Sequence, residues 1–252
     1  MTRIIAVASG KGGVGKTTVV ANLAAALSQL NKSVIAVDSN LTTSNLGIHL
    51  GVHLYPKTLH DVIEGKAKIN DAVYYHKSGF KIIPGDISVR KLRNVTSYDL
   101  INVFYKLLEG TDYILIDTAA GLGKEALSAV EAADELLIVT NPEMPALTDA
   151  LKLAVLAKKF ETHSIGVIVN RVSGDSHELS LKNIENFLDV PIIGYVPEDK
   201  AVKKSIAFKQ PVVMHNPKSM AARNFKAIAS KLVGEKYRSE LPLFVRLLSW
   251  LR

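Results

Sequence analysis

The chain contains no cysteine in 252 residues. That excludes disulfides, zinc–thiolate sites, iron–sulfur clusters held on its own thiols, and cysteine nucleophiles. Aromatic residues make up only 6%, with a single tryptophan at position 250, so any role for that side chain belongs to the C-terminal end. No uninterrupted apolar run approaches the roughly 20 residues that a membrane-spanning helix needs. The first residues show neither a basic n-region nor a cleavage site. A cytoplasmic protein is the expectation. With 48% hydrophobic and 22% charged residues, the composition is that of an ordinary globular chain, long enough to bury a core without staples.

Acidic residues are scarce near the C-terminus. Residues 200–252 hold 12 Lys or Arg against 2 Asp or Glu, a net of +10. The whole chain has 31 and 24, so residues 1–199 hold 19 and 22, a net of −3. The overall charge of +7 therefore belongs to the last fifth of the chain. Such an end is a solvated face, or it meets an anionic membrane surface or nucleic acid.

Short β-branched runs alternate with longer helical patterns. Strands are expected at 3–8, 33–37, 80–83, 113–116, 135–140, 165–169 and 191–196, and helices at 16–30, 98–108, 124–133, 146–160, 178–188 and 221–233. Several strands are nearly continuous apolar runs, as expected for strands buried on both faces of a parallel sheet. The alternation predicts an α/β fold: a doubly wound, mostly parallel sheet flanked by helices. No repeat or linker divides it. The expected organisation is one domain over 1–235, then a basic linker and amphipathic helix over 236–252.

The first strand runs into Gly10-Lys11-Gly12-Gly13-Val14-Gly15-Lys16-Thr17-Thr18, a G-x-x-x-x-G-K-T loop between a strand and a helix. Glycines let successive backbone N–H groups turn toward one anion, and the following helix N-terminus adds partial positive charge. Lys16 should reach β- and γ-phosphate oxygens, and the Thr17 hydroxyl should be an Mg²⁺ ligand. Asp38 and Asp117 close two further strands. Carboxylates there can hold Mg²⁺ directly or through its waters, or can act as turn and cap residues.

The second lysine of the loop, Lys11, makes the sequence resemble the deviant P-loop ATPases of the MinD/ParA family, most closely its MinD branch. Further matches are Val37-Asp38-Ser39-Asn40 with Asn45-Leu46-Gly47 (switch I), Ile116-Asp117-Thr118-Ala119-Ala120-Gly121 (switch II), Thr140-Asn141-Pro142-Glu143, Asn170-Arg171 and Val196-Pro197-Glu198-Asp199. The resemblance covers about residues 1–235. It implies an ATP hydrolase using ATP and Mg²⁺. Gly10 to Thr18 and Glu143 would contact nucleotide, and Asn170, Arg171, Pro197, Glu198 and Asp199 would hold the base. The resemblance also implies an ATP-bound homodimer, in which Lys11 reaches the partner's phosphates as a cation supplied in trans. Metallocluster carriage by related proteins is removed by the missing cysteines.

Two positions depart from the family pattern. Where the family usually has an aspartate that orients the attacking water, this chain has Asn40. An amide oxygen still accepts a hydrogen bond but cannot take a proton, so slow hydrolysis is expected. Ser44 stands where bacterial MinD proteins carry a basic residue, so no regulator is carried over.

At the end, residues 240–252 read Glu-Leu-Pro-Leu-Phe-Val-Arg-Leu-Leu-Ser-Trp-Leu-Arg. At 100° per residue Leu243, Phe244, Leu247, Leu248, Trp250 and Leu251 cover an arc of roughly 160°, with Arg246, Ser249 and Arg252 opposite. This fits an interfacial membrane anchor, with a helix docked on the protein body as the other reading. It also resembles the membrane-targeting helix of the MinD branch. The resemblance thus implies a protein peripheral on the inner face of the cell membrane, with an unidentified activator or cargo protein. The alternative is a ParA-like partition ATPase, binding DNA through Lys200, Lys203, Lys204 and Lys209.

Overall fold

The computed structural model describes residues 1–52, 54–87 and 95–237. Along them run β1 (Arg3–Ala8), α1 (Lys16–Gln29), β2 (Val34–Asp38), α2 (Leu46–Leu50), α3 (Leu59–Ile63), a 3₁₀ turn (Ile69–Ala72), β3 (Tyr74–Tyr75), β4 (Lys81–Ile83) and α4 (Ser97–Tyr105). There follow β5 (Tyr113–Asp117), α5 (Lys124–Glu131), β6 (Glu135–Thr140), α6 (Met144–Lys159), β7 (His163–Val172), α7 (Leu181–Leu188), β8 (Ile192–Pro197), α8 (Lys200–Ala207), α9 (Val212–His215) and α10 (Met220–Leu232). The strands form one sheet in the order β3-β4-β2-β5-β1-β6-β7-β8, parallel except for β3.

The apolar runs make this sheet because both of its faces are covered. All five residues of β2 and of β5 are buried. Alternate side chains feed two cores, as strand geometry requires. Ile5, Val7 and Leu115 join Leu23 and Leu27 of α1 and Phe225 of α10. On the other face Ala6, Ala8, Ile114 and Ile116 join Phe104 of α4 and Leu147 and Leu153 of α6. At the N-terminal edge of the sheet Arg3 binds the Glu135 carboxylate through Nε (3.0 Å) and Nη2 (2.8 Å), and donates Nη1 to the Leu232 carbonyl at 2.6 Å. That one side chain ties β1, β6 and the end of α10 together.

Winding reverses at β1, which lies between β5 and β6. Open α/β sheets bind ligands at such a point, beyond the C-terminal strand ends. The loop of residues 10–15, Asp38 and Asp117 all lie there, since Asp117 pairs with Val7 of β1 on one side and Asp38 of β2 on the other.

The strand predicted at 165–169 runs on to Val172, which places Asn170 and Arg171 inside β7. The helix predicted from residue 178 begins at Leu181, because the Ser180 hydroxyl accepts the Asn183 N–H and caps it there. The last core helix lies within a residue of its expected bounds. The anchor residues Leu243, Phe244, Leu247, Leu248, Trp250 and Leu251 lie outside the described residues. Among those described, no helix is long and apolar enough to cross a membrane.

Candidate nucleotide-binding site

Gly15 opens α1 in the left-handed region (φ 99°), and a Cβ there would strike the Asn170 amide. Among the described residues no side chain caps this helix, and its first turn holds no acidic residue. Its N-terminal N–H groups are therefore open to an anion. At the other end of the loop, Gly10 packs against the backbone of Asp149 in α6 so closely that any side chain would collide. Val14 is buried, while Gly12 faces Ala120 of switch II. Lys16 is buried too, and desolvation lowers its pKa against the opposing pull of Asp117. Gly13, Gly15, Lys16 and Thr17 line a cleft of about 610 Å³ that Asn40 and Arg171 also border. Thr18 faces a smaller cleft of about 60 Å³ with Asn170, Arg171, Pro197, Glu198 and Asp199.

Asp38 and Asp117 sit side by side with 0% and 1% exposure, and they are not equivalent. Asp38 accepts the N–H groups of Leu46 (2.9 Å) and Asn40 (3.2 Å), so it holds the backbone of switch I. Burial, and then the Asp117 charge, push its pKa well above the usual carboxylate range. Asp117 is pushed up to about 6 by burial, against the pull of Thr17 and Lys16, and its Oδ1 has no hydrogen-bond partner among the described residues. A buried oxygen without a partner costs free energy that a cation would relieve. Among the described residues no three His, Asp or Glu cluster to grip an ion by themselves. The donor set, one hydroxyl and one orphaned carboxylate beside an anion cradle, fits Mg²⁺, which keeps waters and takes phosphate oxygens.

Switch I is held from three directions. The Asn40 Oδ1 accepts Thr43 N–H (3.2 Å) and Thr43 Oγ1–H (3.1 Å). Since a backbone N–H only donates, the atom facing it must be the amide oxygen. The group left to address the cleft is the amide nitrogen, so the expected acceptor role of Asn40 toward water is not available in this arrangement. Ser44 is buried and donates its hydroxyl to the Asn40 carbonyl at 2.9 Å. It faces inward as a structural residue. Two side chains absent from the sequence reading also hold the loop: the Glu125 carboxylate takes the N–H groups of Leu41 and Thr42, and His60 Nε2 lies 2.9 Å from the Leu41 carbonyl. No sequence signal marks either one, since Glu125 reads as an ordinary first-turn acid of α5.

Several other expected ligands are occupied within the protein. Asn170 donates its amide to the Val14 carbonyl at 2.6 Å, fastening β7 to the phosphate loop. Asp199 accepts Ala201 N–H (2.8 Å) and Ala221 N–H (3.2 Å), capping α8 and bracing α10. Glu198 pairs with Lys203 at 3.1 Å. Arg171, in the left-handed region at φ 58°, borders both clefts. Lys11 lines neither; its ammonium lies 3.9 Å from the Glu143 carboxylate, with both side chains about half exposed or more.

Comparison with known proteins agrees with this geometry. Residues 5–212 match the CobQ/CobB/MinD/ParA nucleotide binding domain. An uncharacterised ATP-binding protein of Methanocaldococcus jannaschii is 45% identical over 241 residues, covering 96% of this chain and 91% of the relative. The cell division ATPase MinD of Pyrococcus furiosus superposes with a TM-score of 0.89 at 36% identity, over 93% of this chain and 99% of its own. The septum site-determining protein MinD of Pyrococcus horikoshii, solved with Mg-ADP, gives 0.88 at 38%, over 92% and 96%. The buried lysine, the uncapped helix and the orphaned carboxylate thus stand in a chain that belongs to the MinD/ParA family of P-loop proteins and is built to hold a nucleotide with Mg²⁺.

Proposed function

We propose that this chain hydrolyses ATP, that ATP pairs two copies, and that the pair associates reversibly with the inner face of the cell membrane to position the division site or another cellular machine. The observation that carries the reading is the division between two lysines of one loop. Lys16 is buried in its own cleft, whereas Lys11 is about half exposed, beside Glu143, and lines neither of the two clefts described above. A cation in that place, held only by an exposed ion pair with Glu143, is free to turn to the phosphates of a second molecule.

In this reading Lys16 and the N–H groups of residues 10–18 hold the phosphates, while Asn170, Arg171, Pro197, Glu198 and Asp199 surround the base. Thr17 and Asp117 would hold Mg²⁺, with Asp38 behind them; the ion supplies charge neutralisation at the β- and γ-phosphate oxygens. Asn40 meets the attacking water only through its amide N–H, positioning it without drawing off a proton, so turnover is slow and the ATP-bound pair long-lived. Support for the cellular role comes from the division and septum-site proteins among the relatives.

Sedimentation velocity with Mg-ATP and with Mg-ADP, on the chain and on Lys11→Ala, tests the pairing. A dimer in ATP alone, absent in Lys11→Ala, is expected; a monomer under every condition overturns the reading. Flotation with anionic vesicles and cosedimentation with duplex DNA then separate membrane association from the ParA-like alternative. ATP-dependent binding to DNA and not to vesicles would favour the latter, through Lys200, Lys203, Lys204 and Lys209.

A further inference from the structure

We propose that Glu125 is the positioning residue of switch I: its carboxylate fastens Leu41 and Thr42 to α5, so that the loop carrying Asn40 is held in register with the strand end carrying Asp117. The inference rests on the reading of Asn40 as the residue that orients water.

Three donors converge on this one carboxylate. Leu41 N–H and Thr42 N–H (3.1 Å) go to Oε1, and the Thr42 hydroxyl goes to Oε2 at 2.8 Å. They belong to the two residues that follow Asn40, and the acceptor lies on the second residue of the helix that follows switch II. An ionised carboxylate offers about four lone-pair sites, and its hydrogen bonds are roughly twice as strong as neutral ones. The Leu41–Thr42 peptide is gripped at its other end as well, where His60 Nε2–H donates to the Leu41 carbonyl while His60 Nδ1 accepts the Asp86 N–H at 3.0 Å. The tautomer is fixed by that second bond. The peptide group between Leu41 and Thr42 is therefore held at both ends, by Glu125 at the Thr42 N–H and by His60 at the Leu41 carbonyl, and the peptide before it, which joins Asn40 to Leu41, is tied to α5 through the Leu41 N–H. Glu125 does not border the cleft that Asn40 borders. It acts through the loop and touches no ligand.

A first-turn acid that merely favours its own helix would affect α5 alone. The proposal predicts otherwise, and it separates binding from turnover, because Glu125 lines neither the cleft of Lys16 and Thr17 nor that of Thr18. Amide exchange of residues 38–46 and of α5 should be measured with Mg-ADP bound, beside kcat and KM for ATP, in the full chain and in Glu125→Ala, Glu125→Gln and Thr42→Val. In Glu125→Ala the Leu41 and Thr42 amides should exchange at least about 10-fold faster and kcat should fall about 10-fold, the loss expected for a charge-assisted bond, with KM within about 2-fold. Glu125→Gln, which can still accept both N–H groups, should recover most of the protection, and Thr42→Val should lose only a small part. Unchanged exchange at Leu41 and Thr42 in Glu125→Ala overturns the clamp. Faster exchange with an unchanged kcat overturns its positioning role. Should Glu125→Ala not fold, the Leu41 and Thr42 amides in Glu125→Gln and Thr42→Val should still exchange measurably faster than in the unmodified chain, and rates equal across all three overturn the clamp. If the unmodified chain turns over no ATP, the proposed ATPase function fails, and the exchange data still decide whether the clamp exists.

Discussion

An amide at position 40 removes both a negative charge and a proton acceptor from beside the phosphate cradle, yet its oxygen keeps the loop folded through Thr43. Asn40→Asp can retain those two bonds and restore the acceptor. Single-turnover hydrolysis by the variant should be faster by about 10-fold, below the usual contribution of a general base because phosphoryl transfer depends mainly on positioning and electrostatics. Equal rates would show that Asn40 does not limit the reaction. His49, which borders the same cleft, makes a separate prediction. Burial pushes its pKa down to about 4 from 6.5. The unfolded chain takes up this proton near pH 6.5 while the folded chain resists until about 4. Stability is therefore present above 6.5 and lost as pH falls through that window, by up to about 3 kcal/mol. Urea unfolding at pH 7 and at pH 4.5 should show a smaller drop for His49→Gln than for the unmodified chain.

At the scale of elements, the phosphate loop is shaped as much by what packs on it as by its own sequence. Gly10 lies against the Asp149 backbone, whereas a Cβ on Gly12 would meet only the Ala120 methyl at an ordinary 3.7 Å. Gly10→Ala must push α6 away and should cost about 1–3 kcal/mol, as overpacking does; Gly12→Ala should cost clearly less. Thermal melts without nucleotide compare them directly, and equal losses would mean that α6 is not what constrains the loop. The sequence alone could not separate these two glycines, because the neighbour of Gly10 lies in a helix far along the chain. Other features were legible for a physical reason. The strands read clearly since both sheet faces are buried, and Asp38 and Asp117 read clearly because each closes an apolar run. Periodicity did not reach β3, α2 or α9, which span only two to five residues, nor α8, where Ser205 alone is buried. Glu125 was invisible because two of its three partners are backbone N–H groups 83 and 84 positions away, and a backbone N–H carries no sequence signature.

For the whole molecule, the proposed switch depends on one C-terminal anchor being marginal. Six apolar side chains partly buried in a membrane interface contribute roughly 5–8 kcal/mol before ordering costs, which is micromolar binding at best. Two anchors held in one ATP-bound pair gain by effective concentration, about 10²-fold or more. Basic residues before the anchor add about 1 kcal/mol each near an anionic surface, but not all are equally placed to do so. Lys231 donates to the Ile192 carbonyl at 3.3 Å and so is held against the protein body, whereas Lys236 and Arg238 stand nearer the anchor in the sequence and are the pair to test. Flotation with vesicles containing phosphatidylserine should thus show at least about 10-fold more binding in ATP than in ADP. Removing residues 241–252 should abolish it, and Lys236→Ala with Arg238→Ala should weaken it most at low salt, where charge is least screened. Binding that is the same in ADP as in ATP would mean that one anchor suffices, and nucleotide state would then have no hold on where the molecule resides.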